Sequence, residues 1–218
     1  MTMTSAPAPR TFVFIGDSIT DCSRTEDPEG LGFGYVRLLA EHFAAHEPTA
    51  TVINRGISGN KVLDLRERFD ADCLDLRPDV VTIYVGVNDV WHGFTRGEHV
   101  ADEDFEADYR FLLDQLSASR PGLPVVLVLP FVADVDEEKA GYHGELDRKV
   151  AIIRALGKEF GAAIVDLEAV LEDAWAVGHT PASIAQDGVH PTIAGHRLVA
   201  DAWLDVFGTL DHTVARRS

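Results

Sequence analysis

Five short apolar runs, at residues 11–16, 50–54, 79–85, 124–129 and 162–166, recur along this chain with helical patterns between them. That alternation restricts the fold more than any other feature. A run such as Val80-Val81-Thr82-Ile83-Tyr84 has too few polar positions for a strand with one face in water, so it fits a parallel sheet covered on both faces. Of the helical patterns the last is the clearest: Thr192 is placed to cap a helix in which Leu198, Val199, Ala202, Trp203, Val206 and Phe207 recur on one face. Strands alternating with helices through right-handed crossovers predict an α/β fold, a flavodoxin-like three-layer α/β/α sandwich around a central five-stranded parallel sheet. With 218 residues, 46% of them hydrophobic, the chain can bury a sizeable core, and no Ser/Gly/Pro-rich linker divides it. The expected organisation is a flexible arm over 1–10, which holds Pro7 and Pro9, one domain over 11–210, and a tail over 211–218.

In open parallel sheets, sites form outside the carboxyl ends of the strands. The first run, Phe12-Val13-Phe14-Ile15-Gly16, delivers Asp17 and Ser18 there, and a hydroxyl so placed is a candidate nucleophile. Serine needs a base, an orienting carboxylate and donors for an oxyanion. Asp187-Gly188-Val189-His190 puts a carboxylate and an imidazole three residues apart, with Pro191 stiffening the exit. Two further blocks, Gly56-Ile57-Ser58-Gly59-Asn60 and Gly86-Val87-Asn88-Asp89, follow the second and third runs. Asp17, Trp91 and Phe131 follow the first, third and fourth runs and are candidate substrate contacts, Trp91 through the apolar face of its ring. The same residues have plainer readings: Ser18 as a helix cap, Gly59 as a turn glycine, Asn88 as an Asx-turn residue, Asp187 and His190 as loop residues. His196 is a rival base, but it falls inside the predicted last helix and reads as structural. The pair His42 and His46 lacks a third metal ligand, and the glycine-rich 30–34 segment does not directly follow a strand, so both read as structural too.

In this order the four blocks resemble those of the SGNH, or GDSL-type, hydrolases, a family of small serine esterases and acylhydrolases. The match spans residues 12–207, with Ile19 where the family's name has leucine. The resemblance implies that Ser18 attacks an ester carbonyl, that His190 takes and returns its proton, and that Asp187 orients the imidazole. It nominates the Ser18 N–H, the Gly59 N–H and the Asn88 side-chain amide as the oxyanion hole, and it implies no metal or organic cofactor. Residues 16–22, 54–60 and 86–91 are similar to the bacterial branch that contains acetylxylan esterases and related carbohydrate deacetylases, which implies small acyl groups, above all acetyl, on a sugar. The alternatives are a general short-chain acylhydrolase, thioesterase or lysophospholipase using the same triad, or a noncatalytic binding module on the same fold. An intact set of Ser18, Asn88, Asp187 and His190 argues against the last. The α/β-hydrolase elbow requires a glycine where Thr20 stands.

The net charge is −17, from 36 acidic and 19 basic residues. Such a surface repels phosphate backbones and anionic lipid. Neutral substrates therefore fit better than nucleic acid, and the resemblance implies a small-molecule or oligosaccharide ester as the partner. No run approaches the roughly 20 apolar residues of a membrane span, and the first ten residues lack the apolar stretch of a signal peptide. A cytoplasmic location follows as the expectation, with Cys22 and Cys73 as free thiols. A homo-oligomer is compatible with the sequence, which does not specify one.

Overall fold

Each of the five apolar runs forms a strand: β1 (Thr11–Gly16), β2 (Thr51–Gly56), β3 (Val80–Tyr84), β4 (Val125–Val128) and β5 (Ala163–Val165). The computed structural model describes residues 9–215, with side chains described as far as residue 210. All pairings are parallel and the strand order is β2-β1-β3-β4-β5, the flavodoxin-like order expected. The second strand runs two residues beyond the apolar signal because its polar residues are satisfied inside the fold. Asn54, 2% exposed, donates to Thr20 O at 2.6 Å and Leu31 O at 2.8 Å and accepts from Gly56 N–H at 2.8 Å.

Alternate residues of each strand face opposite layers. Phe12 and Phe14 join one apolar cluster with Val80, Tyr84, Val126 and Val128, covered by α2 (Tyr35–His46), α9 (Leu167–Ala176) and α11 (Ile193–Ala215). Val13 and Ile15 join a second with Val81, Ile83 and Leu127, covered by α3 (Val62–Glu67), α4 (Phe69–Asp72), α6 (Asp102–Ser119) and α8 (His143–Phe160). The other α-helices are α1 (Ser18–Asp21), α5 (Val87–Arg96), α7 (Glu137–Ala140) and α10 (Pro181–Ile184), and a 3-10 turn spans Leu74–Leu76. Among the described residues, no helix is long and apolar enough to cross a membrane.

Helix α11 begins where the cap predicts, with Gly195 N–H donating to Thr192 Oγ1 at 3.2 Å. It continues to Ala215, through the first five residues of the segment expected to be a tail; residues 216–218 lie outside the described residues. At the other end, residues 1–8 of the expected arm also lie outside them, while Arg10 already pairs with Glu47.

Trp203 anchors the α11 layer. It is fully buried, stacks on Phe207 at 4.8 Å between ring centroids, and donates its indole N–H to Thr82 Oγ1 at 2.9 Å. Truncating it removes a large apolar surface and leaves a buried hydroxyl without its donor. Trp203→Ala is expected to cost about 3–5 kcal/mol, read from urea denaturation; a loss below about 1 kcal/mol would contradict this packing.

Candidate active site

The turn after β1 sets the geometry. Asp17 caps α1, its Oδ1 accepting from Ile19 N–H at 3.0 Å. Ser18 is therefore the first helical residue and not the cap. Its Oγ lies 2.8 Å from His190 Nε2. Beyond the ring, His190 Nδ1 lies 2.7 Å from Asp187 Oδ2, while Asp187 Oδ1 accepts from His190 N–H at 2.7 Å and Val189 N–H at 3.0 Å. This tight turn needs Gly188, whose φ is +83°. A Cβ there would come 2.8 Å from Ala133 O, and Ala133 N–H donates to Gly188 O at 2.8 Å, docking the turn on the segment after β4.

Burial raises the Asp187 pKa, but the hydrogen bonds from the His190 ring, His190 N–H and Val189 N–H outweigh it and hold the carboxyl below its ordinary value. An ionised acceptor at Nδ1 places the ring proton there. The Nε2 lone pair then faces Ser18, the tautomer a base needs. Both side chains of the pair are close to half exposed, so a substrate can reach them from solvent.

Loop 57–60 follows β2 and is tied to the Ser18 turn. Ile57 N–H donates to Gly16 O at 3.0 Å, and the Ser58 N–H and hydroxyl both donate to Asp21 Oδ2, at 3.2 and 2.7 Å. Gly59 has φ +84°, and a Cβ there would meet nothing within 4 Å, so its peptide borders open space. Asn88 is the second residue of α5 and 3% exposed. Its Nδ2 donates to Asn60 O at 3.0 Å, which links α5 to the loop and is not an Asx turn. One amide hydrogen remains for a further acceptor.

Trp91 stands beside His190. Its ring centroid lies 5.5 Å from that of His190, and Lys139 Nζ sits 5.8 Å from the indole. Two other expectations are corrected. Asp17 is 0% exposed beneath Ser18, because its carboxyl is turned inward to cap α1, so it is no substrate contact. Phe131, 5% exposed, belongs to the apolar core and borders a cavity of about 130 Å³ with Leu171 and Trp175, because the segment after β4 runs buried between the sheet and α9. His196 is structural: Nδ1 accepts from Tyr35 N–H at 3.2 Å, Nε2 lies 3.5 Å from Cys22 Sγ, and burial pushes its pKa down to about 4. Burial also raises the pKa of both free thiols, Cys22 and Cys73, so neither is an activated nucleophile. The links made by Asp21 and Lys139 had no sequence signal beyond charge.

Residues 14–198 match the model of the GDSL-like Lipase/Acylhydrolase family. The chain belongs to that family. It is thus a serine hydrolase acting on ester bonds. Over 209 residues it is 35% identical to an acetylxylan esterase of Geobacillus stearothermophilus, covering 90% of this chain and 93% of that protein. The solved structure of Axe2, an acetylxylan esterase from the same organism, superposes with a TM-score of 0.80 at 32% identity, over 91% of this chain and 94% of that one. LAE5, an enzyme from the metagenome of Lake Arreo, gives 0.80 at 31% identity over 91% and 95%. Two further Axe2 structures are catalytic mutants in which a serine or an aspartate is replaced by alanine.

Two buried carboxyls of this family member make its stability depend on pH. Burial pushes Asp17 up to about 7 and Asp89 up to about 8, against smaller opposing effects of the Ile19 and Val62 N–H groups. Between the unfolded value near 4 and these folded values the native state holds more protons than the unfolded one, so stability falls as pH rises and the penalty is complete above both. Asp89→Asn is expected to raise stability by a few kcal/mol at pH 9 and to leave it unchanged near pH 3. Urea midpoints at the two pH values test this, and an equal shift at both would contradict a buried protonated carboxyl.

Proposed function

We propose that this enzyme removes acetyl groups from carbohydrate through a Ser18–His190–Asp187 triad and an acyl-enzyme intermediate. The observation that carries the reading is the continuous hydrogen-bonded chain from Ser18 Oγ through both ring nitrogens of His190 to Asp187. Ser18 Oγ attacks the ester carbonyl carbon as its proton passes to His190 Nε2. The carbonyl oxygen becomes an oxyanion and receives the Ser18 N–H, the Gly59 N–H and the Asn88 amide. The intermediate collapses, the C–O bond to the sugar breaks, and the imidazolium returns the proton to the departing alkoxide. Water then attacks the acetyl-serine by the same route, releasing acetate and restoring Ser18. Asp187 stays ionised and stabilises the imidazolium.

The Axe2 catalytic mutants support these roles, since the replaced residues are of the same types as Ser18 and Asp187. Likeness to an acetylxylan esterase over nine-tenths of the chain favours acetyl on a xylo-oligosaccharide over a lipid acyl chain, and the acidic surface agrees with a neutral substrate.

Ser18→Ala and His190→Ala are each expected to lower kcat on 4-nitrophenyl acetate by on the order of a thousandfold or more, with the double variant little worse than either single. Near wild-type rates for Ser18→Ala would sink the mechanism. For the substrate, the expected profile is a steep preference for acetyl over octanoyl esters and turnover of acetylated xylo-oligosaccharides. Because Trp91 packs beside His190, Trp91→Ala is expected to slow every ester, and the glycan by a further several-fold to about tenfold through the lost ring contact. Faster octanoyl or thioester hydrolysis, or equal damage to glycan and aryl acetate, would replace the carbohydrate reading with that of a general acylhydrolase.

A further inference from the structure

Arg68 separates α3 from α4, and its side chain, 15% exposed, reaches the carboxyl edge of the sheet from below. Its Nη1 donates to Arg55 O at 2.8 Å, Nη2 to Gly16 O at 3.1 Å and Nε to Asn60 Oδ1 at 2.9 Å, and Asp72 balances the charge at 2.8 Å from Nη1. Each acceptor adjoins a different part of the site. Gly16 O ends β1, two residues before Ser18, and also accepts from Ile57 N–H. Arg55 O lies at the end of β2, where loop 57–60 departs. Asn60 follows Gly59, and its own carbonyl accepts from Asn88.

We infer that Arg68 is the positioning residue of the oxyanion hole: one guanidinium fixes the mutual placement of the Ser18, Gly59 and Asn88 donors without touching the substrate. The inference rests on the oxyanion role proposed above for those three donors. A planar fork with five N–H groups holds acceptors in several fixed directions at once, which a lysine ammonium on a flexible stem does not reproduce. Burial lowers the pKa of Arg68, opposed by Asp72, and the guanidinium stays charged. A cation held there despite its desolvation is consistent with geometry that matters. Oxyanion donors act on the charge that develops in the transition state, so a slight misplacement lowers kcat more than it raises KM.

The test compares Arg68→Lys, Arg68→Gln and Asn60→Ala with wild type on 4-nitrophenyl acetate, with urea denaturation confirming the folded fraction. Arg68→Lys and Arg68→Gln are expected to lose roughly tenfold to a hundredfold in kcat with KM within about twofold. Binding of an alkylboronic acid, whose serine adduct carries a tetrahedral oxyanion, should weaken in parallel. Asn60→Ala severs only the link to the loop and should reproduce part of the kcat loss if the Arg68 variants fail to fold. Combined with Asn88→Ala, the Arg68→Lys loss should be less than multiplicative, since both act on the same donors. Wild-type kcat in folded Arg68→Lys and Asn60→Ala, with lowered stability alone, would reduce Arg68 to a structural staple and overturn the inference, as would a change confined to KM. Ser18→Ala, assayed alongside, separates the two readings. Its retention of activity defeats the mechanism itself, whereas its loss beside unaffected Arg68 and Asn60 variants defeats only the positioning role.

Discussion

Parallel pairing of β1 with both β2 and β3 is the constraint on which the rest of the site depends. It aligns Gly16 with Gly56 on one side and Tyr84 on the other. Three chain segments therefore leave the sheet at one edge and in one direction. The segments that carry Ser18, Gly59 and Asn88 are tied to one another because their strands are in register, although 70 residues of sequence separate the first from the last. The remaining pair, Asp187 and His190, arrives from outside the sheet. It depends on the Ala133–Gly188 hydrogen bond and the Ala185–Pro191 bridge to hold its turn against that edge.

Assembling polar groups at such an edge leaves carboxyls where water is scarce. Asp17 caps the helix that starts with Ser18, yet its Oδ2 has no hydrogen-bond partner in the structure. Asp89, next to Asn88, accepts only long bonds from Val62 N–H, at 3.3 and 3.4 Å. Neither is compensated by a close cation, so each favours its neutral form, and a buried neutral carboxyl is far less costly than a buried charge. The result is a site that holds its loops with short side chains at some expense in stability, a common trade where preorganised dipoles are needed.

Much of this was legible before any coordinates. Apolar runs alternating with helical patterns marked the place of all five strands, since strands buried on both faces are largely apolar; β2 ran past its signal because Asn54 and Arg55 are polar. Ser18, Asn88, Asp187 and His190 were visible because their blocks follow strand ends or precede the last helix. The misreadings share one cause: sequence order gives a residue's address but not the direction of its side chain. Asp17 and Phe131 have the address of substrate contacts, yet one turns inward to cap α1 and the other packs in the core. Arg68 was invisible for the complementary reason. It lies in no motif, and only the crossing of β1, β2 and α3 in space brings its three carbonyl acceptors together.

Trp91 shows how one side chain can have its role divided by packing. From sequence it offers a flat apolar face near a strand end, as a sugar platform would. In the fold the indole is near both the His190 ring and the Lys139 ammonium, and the Lys139 stem fills the space a Cβ at Gly188 would need, in the turn that carries His190. The same ring, partly exposed, retains surface for a ligand. In the proposed mechanism the two contacts differ in reach: packing against His190 bears on every ester, whereas a ring contact with sugar bears on the glycan alone.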